Sequence, residues 1–370
     1  IDEFSTIHAV FFDFTKAFDL VDHLLLLKKL QKYLPTWTIN WIAAYLTNRR
    51  QRVKTNEHTT EWKQVEAGVI QGSVLGPTLF ILFLCDINNY IPEGTKAPKY
   101  ADDILAYCIS KRGEKNNIQE SVNGITKWTQ ENKMKLNIKK TEQMIINNKN
   151  EQITAVTIDG KEINTVSSYK YLGIQLNEKL KWDQQWEYIR PKMNSSLYLI
   201  KSMKSLGFKT EILVTIYKSL VASHIISNAH TLCSISKQAQ AEIESLQNKI
   251  LKAIGIKSEQ DKQKYNITST RELIEKHCNQ LLGKILIDQN HPLTKSLERR
   301  NNIKTRNTFP FAIKQCRLES YQQSFVQQFI RIAEKNQLDK CSEVQLQLPY
   351  KDQKSTMITQ KVLCNTCNKP

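Results

Sequence analysis

Lys99-Tyr100-Ala101-Asp102-Asp103-Ile104-Leu105-Ala106-Tyr107 sets two adjacent carboxylates between apolar, strand-forming residues. Apolar–turn–apolar over so few positions predicts a β-hairpin with the acidic pair at its tip. Adjacent carboxylates repel each other, so a half-buried pair calls for a cation. A hard divalent ion such as Mg²⁺ takes oxygen ligands of this kind. The commoner meaning of an Asp-Asp pair is a solvated turn, because turns favour Asp. A third carboxylate decides between the two. His8-Ala9-Val10-Phe11-Phe12 is an apolar, strand-like run that ends on Asp13. A strand ending in Asp beside this hairpin gathers three carboxylates at one sheet edge. That set suits two metal ions about 4 Å apart, the arrangement used for in-line phosphoryl transfer.

Composition narrows the partners. The 370 residues suffice for two or three domains with a substantial core. Lys and Arg number 53 against 36 Asp and Glu, a formal charge of +17 spread along the whole chain. That excess favours a polyanionic partner, nucleic acid ahead of an anionic membrane, over a generally basic soluble protein. The apolar run Leu79-Phe80-Ile81-Leu82-Phe83-Leu84-Cys85 is too short to span a bilayer, and no apolar signal peptide opens the chain. Eight cysteines are scattered, apart from Cys364 and Cys367, so a reducing compartment is expected rather than a disulfide framework. The absence of a Gly-x-x-x-x-Gly-Lys phosphate loop argues against a small-molecule phosphotransferase.

Three stretches carry a resemblance. Phe12-Asp13-Phe14-Thr15-Lys16-Ala17-Phe18-Asp19, Gln71-Gly72-Ser73-Val74-Leu75-Gly76-Pro77 and Tyr100-Ala101-Asp102-Asp103 resemble, in that order, successive motifs of reverse transcriptases. Their wording is most similar to that of jockey-like, non-LTR retrotransposons. Leu136-Asn137-Ile138-Lys139-Lys140-Thr141 resembles the motif after the catalytic hairpin. Tyr169-Lys170-Tyr171-Leu172-Gly173-Ile174 resembles the primer grip. Five motifs in family order across residues 8–182 are specific, whereas Tyr-Ala-Asp-Asp alone is weak.

The resemblance implies an α+β fold: a polymerase palm, with an antiparallel sheet and helices on one face. Palm and partial fingers would occupy residues 1–182, a helical thumb 183–256, and a basic, mixed but mainly helical region 257–370. The implied activity is RNA-directed DNA polymerisation, in which deoxynucleotides (dNTPs) extend a DNA primer on an RNA template. Asp13, Asp102 and Asp103 would hold two Mg²⁺ ions, with Mn²⁺ as substitute. Phe18 would take the steric-gate position against a 2′-hydroxyl, although its neighbours Leu20 and Val21 also suit plain core. Gln71 and Gly72 would line the nucleotide pocket. Pro usually precedes that Gln, and here Ile70 stands there, which loosens the preset φ without removing a ligand. Lys140 would protonate or neutralise pyrophosphate, or would simply be solvated beside Lys139. Tyr171, Leu172 and Gly173 would grip the primer end. The family also implies a ribonucleoprotein of nucleus and cytoplasm, not a secreted protein.

Relatives carry fingers motifs, and often an endonuclease, upstream of the first aspartate motif. This chain begins a dozen residues before Asp13, so a fragment or a decayed copy is expected. The rival to an active polymerase is therefore a catalytically inactive nucleic-acid-binding remnant.

Local patterns fill in the rest. Leu24, Leu27, Leu30 and Leu34, and then Ile39, Ile42, Ala43 and Leu46, predict helices within residues 20–48. Arg49-Arg50-Gln51-Arg52-Val53-Lys54 reads as a basic strand, either along a template phosphate backbone or as a solvated edge. Gly68 and Gly72 let the backbone approach a ligand. Pro77 should open a buried helix over Thr78 to Asn88. Ile118, Val122, Ile125 and Trp128 predict a helix within 117–135, packed on the sheet. Asp159-Gly160 marks a hairpin turn. Trp186, Ile189, Met193, Leu197, Ile200 and Met203 predict a helix that Pro191 starts anew or kinks. Leu213, Ile216, Tyr217 and Leu220 predict a second helix. Ile243, Leu246, Ile250 and Ile254 predict a third, stopped by Gly255. Ser320 to Asn336 should form one more, after a basic cluster at Arg299, Arg300, Lys304 and Arg306. Cys364-Asn365-Thr366-Cys367 is half a zinc pattern, with Cys341 the nearest upstream partner.

Overall fold

The computed structural model describes residues 5–111, 114, 116–146, 155–288, 290–293 and 325–335. The chain separates into two compact units, Ile1–Gln184 and Gln185–Pro370.

In the first unit, strands and helices alternate. In chain order they are β1 (Ser5–Phe12), α1 (His23–Leu30), α2 (Thr36–Leu46), β2 (Arg50–Gln51), β3 (Lys63–Gln64) and α3 (Leu75–Phe83). Next come β4 (Thr95–Lys96), β5 (Lys99–Tyr100), β6 (Asp103–Lys111), α4 (Ile118–Glu131) and β7 (Glu142–Ile146). The unit closes with β8 (Thr157–Ile158), β9 (Lys161–Glu162), β10 (Asn164–Thr165), β11 (Ser168–Tyr171) and β12 (Ile174–Asn177).

The main sheet has the order β10-β7-β1-β6-β4, with β5 also on β6. Its centre is antiparallel: β1 pairs with both β6 and β7. The sheet is antiparallel as expected except at one edge, where β10 runs parallel to β7. The long connection through the β8–β9 hairpin brings the chain back in the same direction, which a short turn does not do.

β1 is apolar on both faces because both faces are covered. Val10 and Phe12 join a core with Leu26, Ile42, Phe80, Phe83, Val122, Ile125 and Trp128, so the helices lie on that side. Ala9 and Phe11 face the other way, with Met144, Ile146, Leu105, Tyr107, Tyr169 and Tyr171. The four apolar residues predicted to line α4 are all buried.

α3 begins at Leu75, two residues before Pro77. A proline fits there because the first-turn N–H groups have no intrahelical acceptor, and Ser73 Oγ accepts from Gly76 N at 3.0 Å. The helix stops at Phe83 rather than Asn88, a 3₁₀ turn follows at Ile87–Tyr90, and Ile81 is exposed. The basic strand shrinks to the two residues of β2, paired with β3. The Asp159-Gly160 hairpin forms as predicted, with φ of 50° and 75°.

The second unit is helical: α5 (Asp183–Ser205), α6 (Thr210–Ile216), α7 (Ser223–Ser227), α8 (Ala229–Leu232), α9 (Lys237–Ile254), α10 (Glu259–Lys264), α11 (Thr270–Ile287) and α12 (Phe325–Lys335). α5 runs through Pro191 without a break. Trp186 and Ile189 before the proline, and Met193 and Ile200 after it, are buried and hold both halves in place. The predicted second helix turns π-helical at Tyr217–Ala222. That turn buries Tyr217, whose hydroxyl accepts from Gln247 Nε2 at 2.7 Å, and leaves Leu220 partly exposed. α9 ends on Gly255 at φ 109°, as predicted. α11 packs on α7, α8 and α9, so the helical packing continues past residue 256. The basic cluster at 299–306, Cys341 and the Cys364/Cys367 pair lie outside the described residues.

Candidate active site

The site begins with register. Phe12 pairs with Ile104 as the last pair between β1 and β6, so Asp13 leaves β1 next to the start of β6 at Asp103, close enough for its charge to be felt there. Tyr100 pairs with Asp103 to close the β5–β6 hairpin, which leaves Asp102 in the turn after Ala101, whose φ is 52°. The acidic pair is thus split: Asp102 lies at the tip, and Asp103 is the first residue of the strand. By alternation, Asp13 and Asp103 share the face of Phe11, Leu105 and Tyr107, away from the helices.

Electrostatics agree with that placement. Partial burial and the like charges of Asp102 and Asp13 push the Asp103 carboxyl up. Burial, then the charges of Asp103, Glu142 and Asp13, pushes the Tyr169 hydroxyl up, and burial and Asp103 do the same to Tyr171. Among the described residues no Lys or Arg pairs with any of the three aspartates.

The β11–β12 hairpin stacks on this face. The Tyr169 ring lies 3.8 Å from Phe11 at 14°, and Tyr171 lies 5.8 Å from it. Leu172 and Gly173 form the turn, with φ of 49° and 83°.

A second clamp holds the backbone of Asp13. Asn137 N donates to Asp13 O at 2.8 Å. Asp13 N donates to Thr141 Oγ1 at 3.4 Å, and Thr141 Oγ1 donates on to Asn137 O at 3.0 Å. Thr141 is fully buried. Lys140 sits exposed in the turn between them, its N–H bonded to Asn137 O. The chemistry-based reading singled out Lys140 and passed over Thr141. A hydroxyl next to a turn and ahead of an apolar strand was the available signal.

The third part joins Phe18 to the glycine loop. Phe18 is half-buried and stacks on Phe80, with centroids 4.4 Å apart. Val69 N donates to Phe18 O at 2.8 Å, and Gly68 N donates to Val21 O at 2.8 Å. Gly68 O receives Arg49 Nη2 at 2.7 Å and lies 2.8 Å from His23 Nε2. A Cβ on Gly68 would meet Asp19 Cα and O at 2.9 Å. The close approach at Gly68 is therefore to the chain's own backbone, not to a ligand as its sequence suggested. Gly72, with nothing within 4 Å of a Cβ, keeps open space. Gln71 Nε2 donates to Asp19 Oδ1 at 3.1 Å.

Residues 4–176 match the family described as reverse transcriptase (RNA-dependent DNA polymerase). Over those residues the chain is similar to reverse transcriptase domains, and its similar proteins include jockey-like, non-LTR elements. The chain is 30% identical over 259 residues to the RNA-directed DNA polymerase from mobile element jockey of Drosophila melanogaster, covering 66% of this chain and 28% of that protein. It is 25% identical over 261 residues to the probable RNA-directed DNA polymerase from transposon X-element of the same organism, at 67% and 28% coverage. The transposon BS protein is 33% identical over 183 residues, at 47% and 20%. The chain thus spans little more than a quarter of the length of the first two. A solved telomerase from Candida albicans, in complex with a fragment of telomeric RNA, covers 74% of this chain and 48% of its own at 12% identity, with a TM-score of 0.35.

Reverse transcriptases generally use divalent metal ions. Here the donor set is hard carboxylate oxygen, the chemistry such ions take. Among the described residues no group of three or more His, Cys, Asp or Glu side chains is placed to hold a metal ion. The charges of Asp13 and Asp102 are felt at Asp103, but the three aspartates are not gathered into such a group. No described helix is long and apolar enough to cross a membrane.

Proposed function

We propose that this chain carries the catalytic centre of an RNA-directed DNA polymerase of a non-LTR retrotransposon, adding dNTPs to a primer 3′-hydroxyl on an RNA template. The observation that carries this reading is the β1–β6 ladder ending at Phe12–Ile104, one residue before Asp13 and one after Asp103, with Asp102 in the adjoining turn and the charges of Asp13 and Asp102 felt at Asp103. Asp13, Asp102 and Asp103 are the residues that would hold two Mg²⁺ ions, with Mn²⁺ as substitute. When bound, the ions lower the pKa of the attacking hydroxyl and stabilise the leaving pyrophosphate.

The chain's own residues do the positioning. The Asn137–Thr141 turn fixes the backbone of Asp13. The turn at Tyr171, Leu172 and Gly173 presents the primer end beside the carboxylates. Phe18, held by Phe80, lies under the sugar and rejects a 2′-hydroxyl. Gln71, steadied by Asp19, and Gly72 with its open space line the nucleotide pocket. Lys140 neutralises pyrophosphate from its exposed turn. The formal charge of +17 suits the RNA template and DNA primer, and the complex belongs to a ribonucleoprotein of nucleus and cytoplasm.

Primer extension on an RNA template, with the full chain and Asp102→Asn, tests this. Incorporation by the wild type and its loss in the variant is expected. Equal incorporation by both rules out the assigned site. Duplex binding with a steep salt dependence but no incorporation would favour the inactive remnant instead, a reading that the retained carboxylates disfavour.

A further inference from the structure

The exposed ribbon between Arg49 and Val65 has no role in the chemistry above. Every residue from Arg50 to Gln64 is exposed. The ribbon is nevertheless built. Arg50 pairs with Gln64 and Gln51 with Lys63, and the ladder extends through Thr60 N to Val53 O at 2.9 Å and Thr55 N to His58 O at 2.8 Å. Two positions beyond the Arg50–Gln64 pair, Arg52 faces Trp62, and its guanidinium carbon lies 4.5 Å from the indole centroid. Between the β2–β3 pairs and the Lys54–Thr59 bridge the register slips by one residue, so Arg52 and Trp62 are brought together by their cation–π contact, with Arg50 two residues away along the chain. Trp62 remains 56% exposed. Among the described residues neither arginine makes an ion pair.

Unlike the exposed Trp37 and Trp41, the exposed Trp62 carries a guanidinium on its ring. Its chemistry fits one class of partner. A nucleobase stacks on an exposed indole, and neighbouring unpaired arginines meet phosphates of an extended polynucleotide. A duplex hides its bases and offers nothing to the indole. The root of the ribbon points to which strand it is. Arg49, immediately before β2, donates to Leu46 O at 2.9 Å and Gly68 O at 2.7 Å, and Val65 N returns to Arg49 O at 2.9 Å. The ribbon is thus pinned to the loop that carries Gln71.

We propose that the ribbon of residues 49–65 is a binding arm for the unpaired RNA template ahead of the copied position, with a base stacked on Trp62 and phosphates held by Arg50 and Arg52. This rests on the polymerase reading for the identity of the strand. The assay is fluorescence anisotropy of the full chain with two primer–templates of equal duplex length, one blunt and one with a 5′ RNA overhang. Wild type, Trp62→Ala, Trp62→Phe and the double variant Arg50→Ala/Arg52→Ala are compared, with folding checked by circular dichroism.

Trp62→Ala should bind the overhang about 5- to 100-fold more weakly, with blunt duplex unchanged and Trp62→Phe largely restored. The double arginine variant should flatten the slope of log affinity against log salt by about 1.4, since each lost single-strand phosphate contact is worth about 0.7. Equal losses on both substrates, or none on either, overturn the proposal. Binding alone is read, so a chain that shows the overhang effect without incorporating nucleotides would keep the arm and sink the polymerase. A chain that polymerises but shows no overhang effect would do the reverse.

Discussion

Asp103→Asn should stabilise the protein in the absence of divalent ions while abolishing its activity. Residues directly opposite in an antiparallel pair have Cβ atoms about 5 Å apart, and that spacing serves for Asp13, which follows the last β1–β6 pair and whose charge is felt at Asp103. At about 5 Å two unit charges repel by about 0.8 kcal/mol in bulk water and about 3 kcal/mol at an effective dielectric of 20. Asp103 is exposed, so solvent screening discounts the larger figure. With Asp102 adding a second like charge, a net gain of about 1 kcal/mol is expected, which raises the Tm of a unit this size by about 2–4 °C.

The pH dependence has a definite sign. The native Asp103 carboxyl titrates above its unfolded value, so the native state holds the proton more tightly. The penalty is absent below the unfolded pKa, grows as pH rises through the raised native value, and is complete at neutral pH. The difference in Tm between variant and wild type should therefore be full at pH 7 and shrink in acid. Added Mg²⁺ should raise the wild-type Tm, because a ligand that binds only the native state stabilises it, and should do little for the variant. Thermal melts of the full chain in EDTA and in Mg²⁺ decide this. An Asp103→Asn protein that melts at or below wild type in EDTA at pH 7 would show that the carboxylates do not repel at close range, and the site would lose its basis.

Substitutions at the Asp86 pair, the Gly68 loop and Thr141 probe the packing around the site. Asp86 Oδ1 accepts from Lys29 Nζ at 2.7 Å and from Trp128 Nε1 at 2.8 Å, so Asp86→Ala leaves Lys29 with Phe83 O as its remaining acceptor and the buried Trp128 Nε1 with none, and should cost about 3 kcal/mol in a urea melt; joint replacement by Lys29→Met and Asp86→Leu should recover the ammonium's share of it. Gly68→Ala forces a side chain into backbone at φ 89° and should cost about 2–4 kcal/mol, whereas Gly72→Ala, with open space around it, should cost only the left-handed penalty of about 1 kcal/mol; equal midpoints for the two would refute the assignment of Gly68 as an internal contact. Thr141→Val removes the acceptor for Asp13 N–H and should lower kcat more than it raises KM in primer extension, with Thr141→Ser restoring it.

Much of this was legible in the residues because its signals are local. The apolar run before Asp13 and the spacing of Ile118, Val122, Ile125 and Trp128 are periodic patterns that allow few alternatives. So is the glycine after Ile254, whose left-handed φ closes α9. Other readings failed where a local rule met a tertiary one. Pro77 lies inside α3 rather than opening it, because first-turn N–H groups need no intrahelical acceptor. Pro191 lies inside a continuous α5, which rules out the new start it offered and leaves the kink as the other reading; buried residues on both sides hold the helix together. The basic stretch after α2 gives only a two-residue strand, since exposed charged positions carry no alternation to extend it.

By itself the sequence determined which residue types the site would contain and in what order: an aspartate closing an apolar strand, a glycine loop, and an acidic hairpin. Only the tertiary structure decided that Asp13 leaves β1 beside Asp103, with both charges felt at Tyr169 on the face away from the helices. It alone also showed that Thr141 and Asn137 clamp the Asp13 backbone, and that Gly68 is pressed against Phe18 and Asp19. The reason is register. A strand one residue out of step would carry the same letters to the opposite face, and the choice between the two is made by long-range pairing that no local pattern encodes.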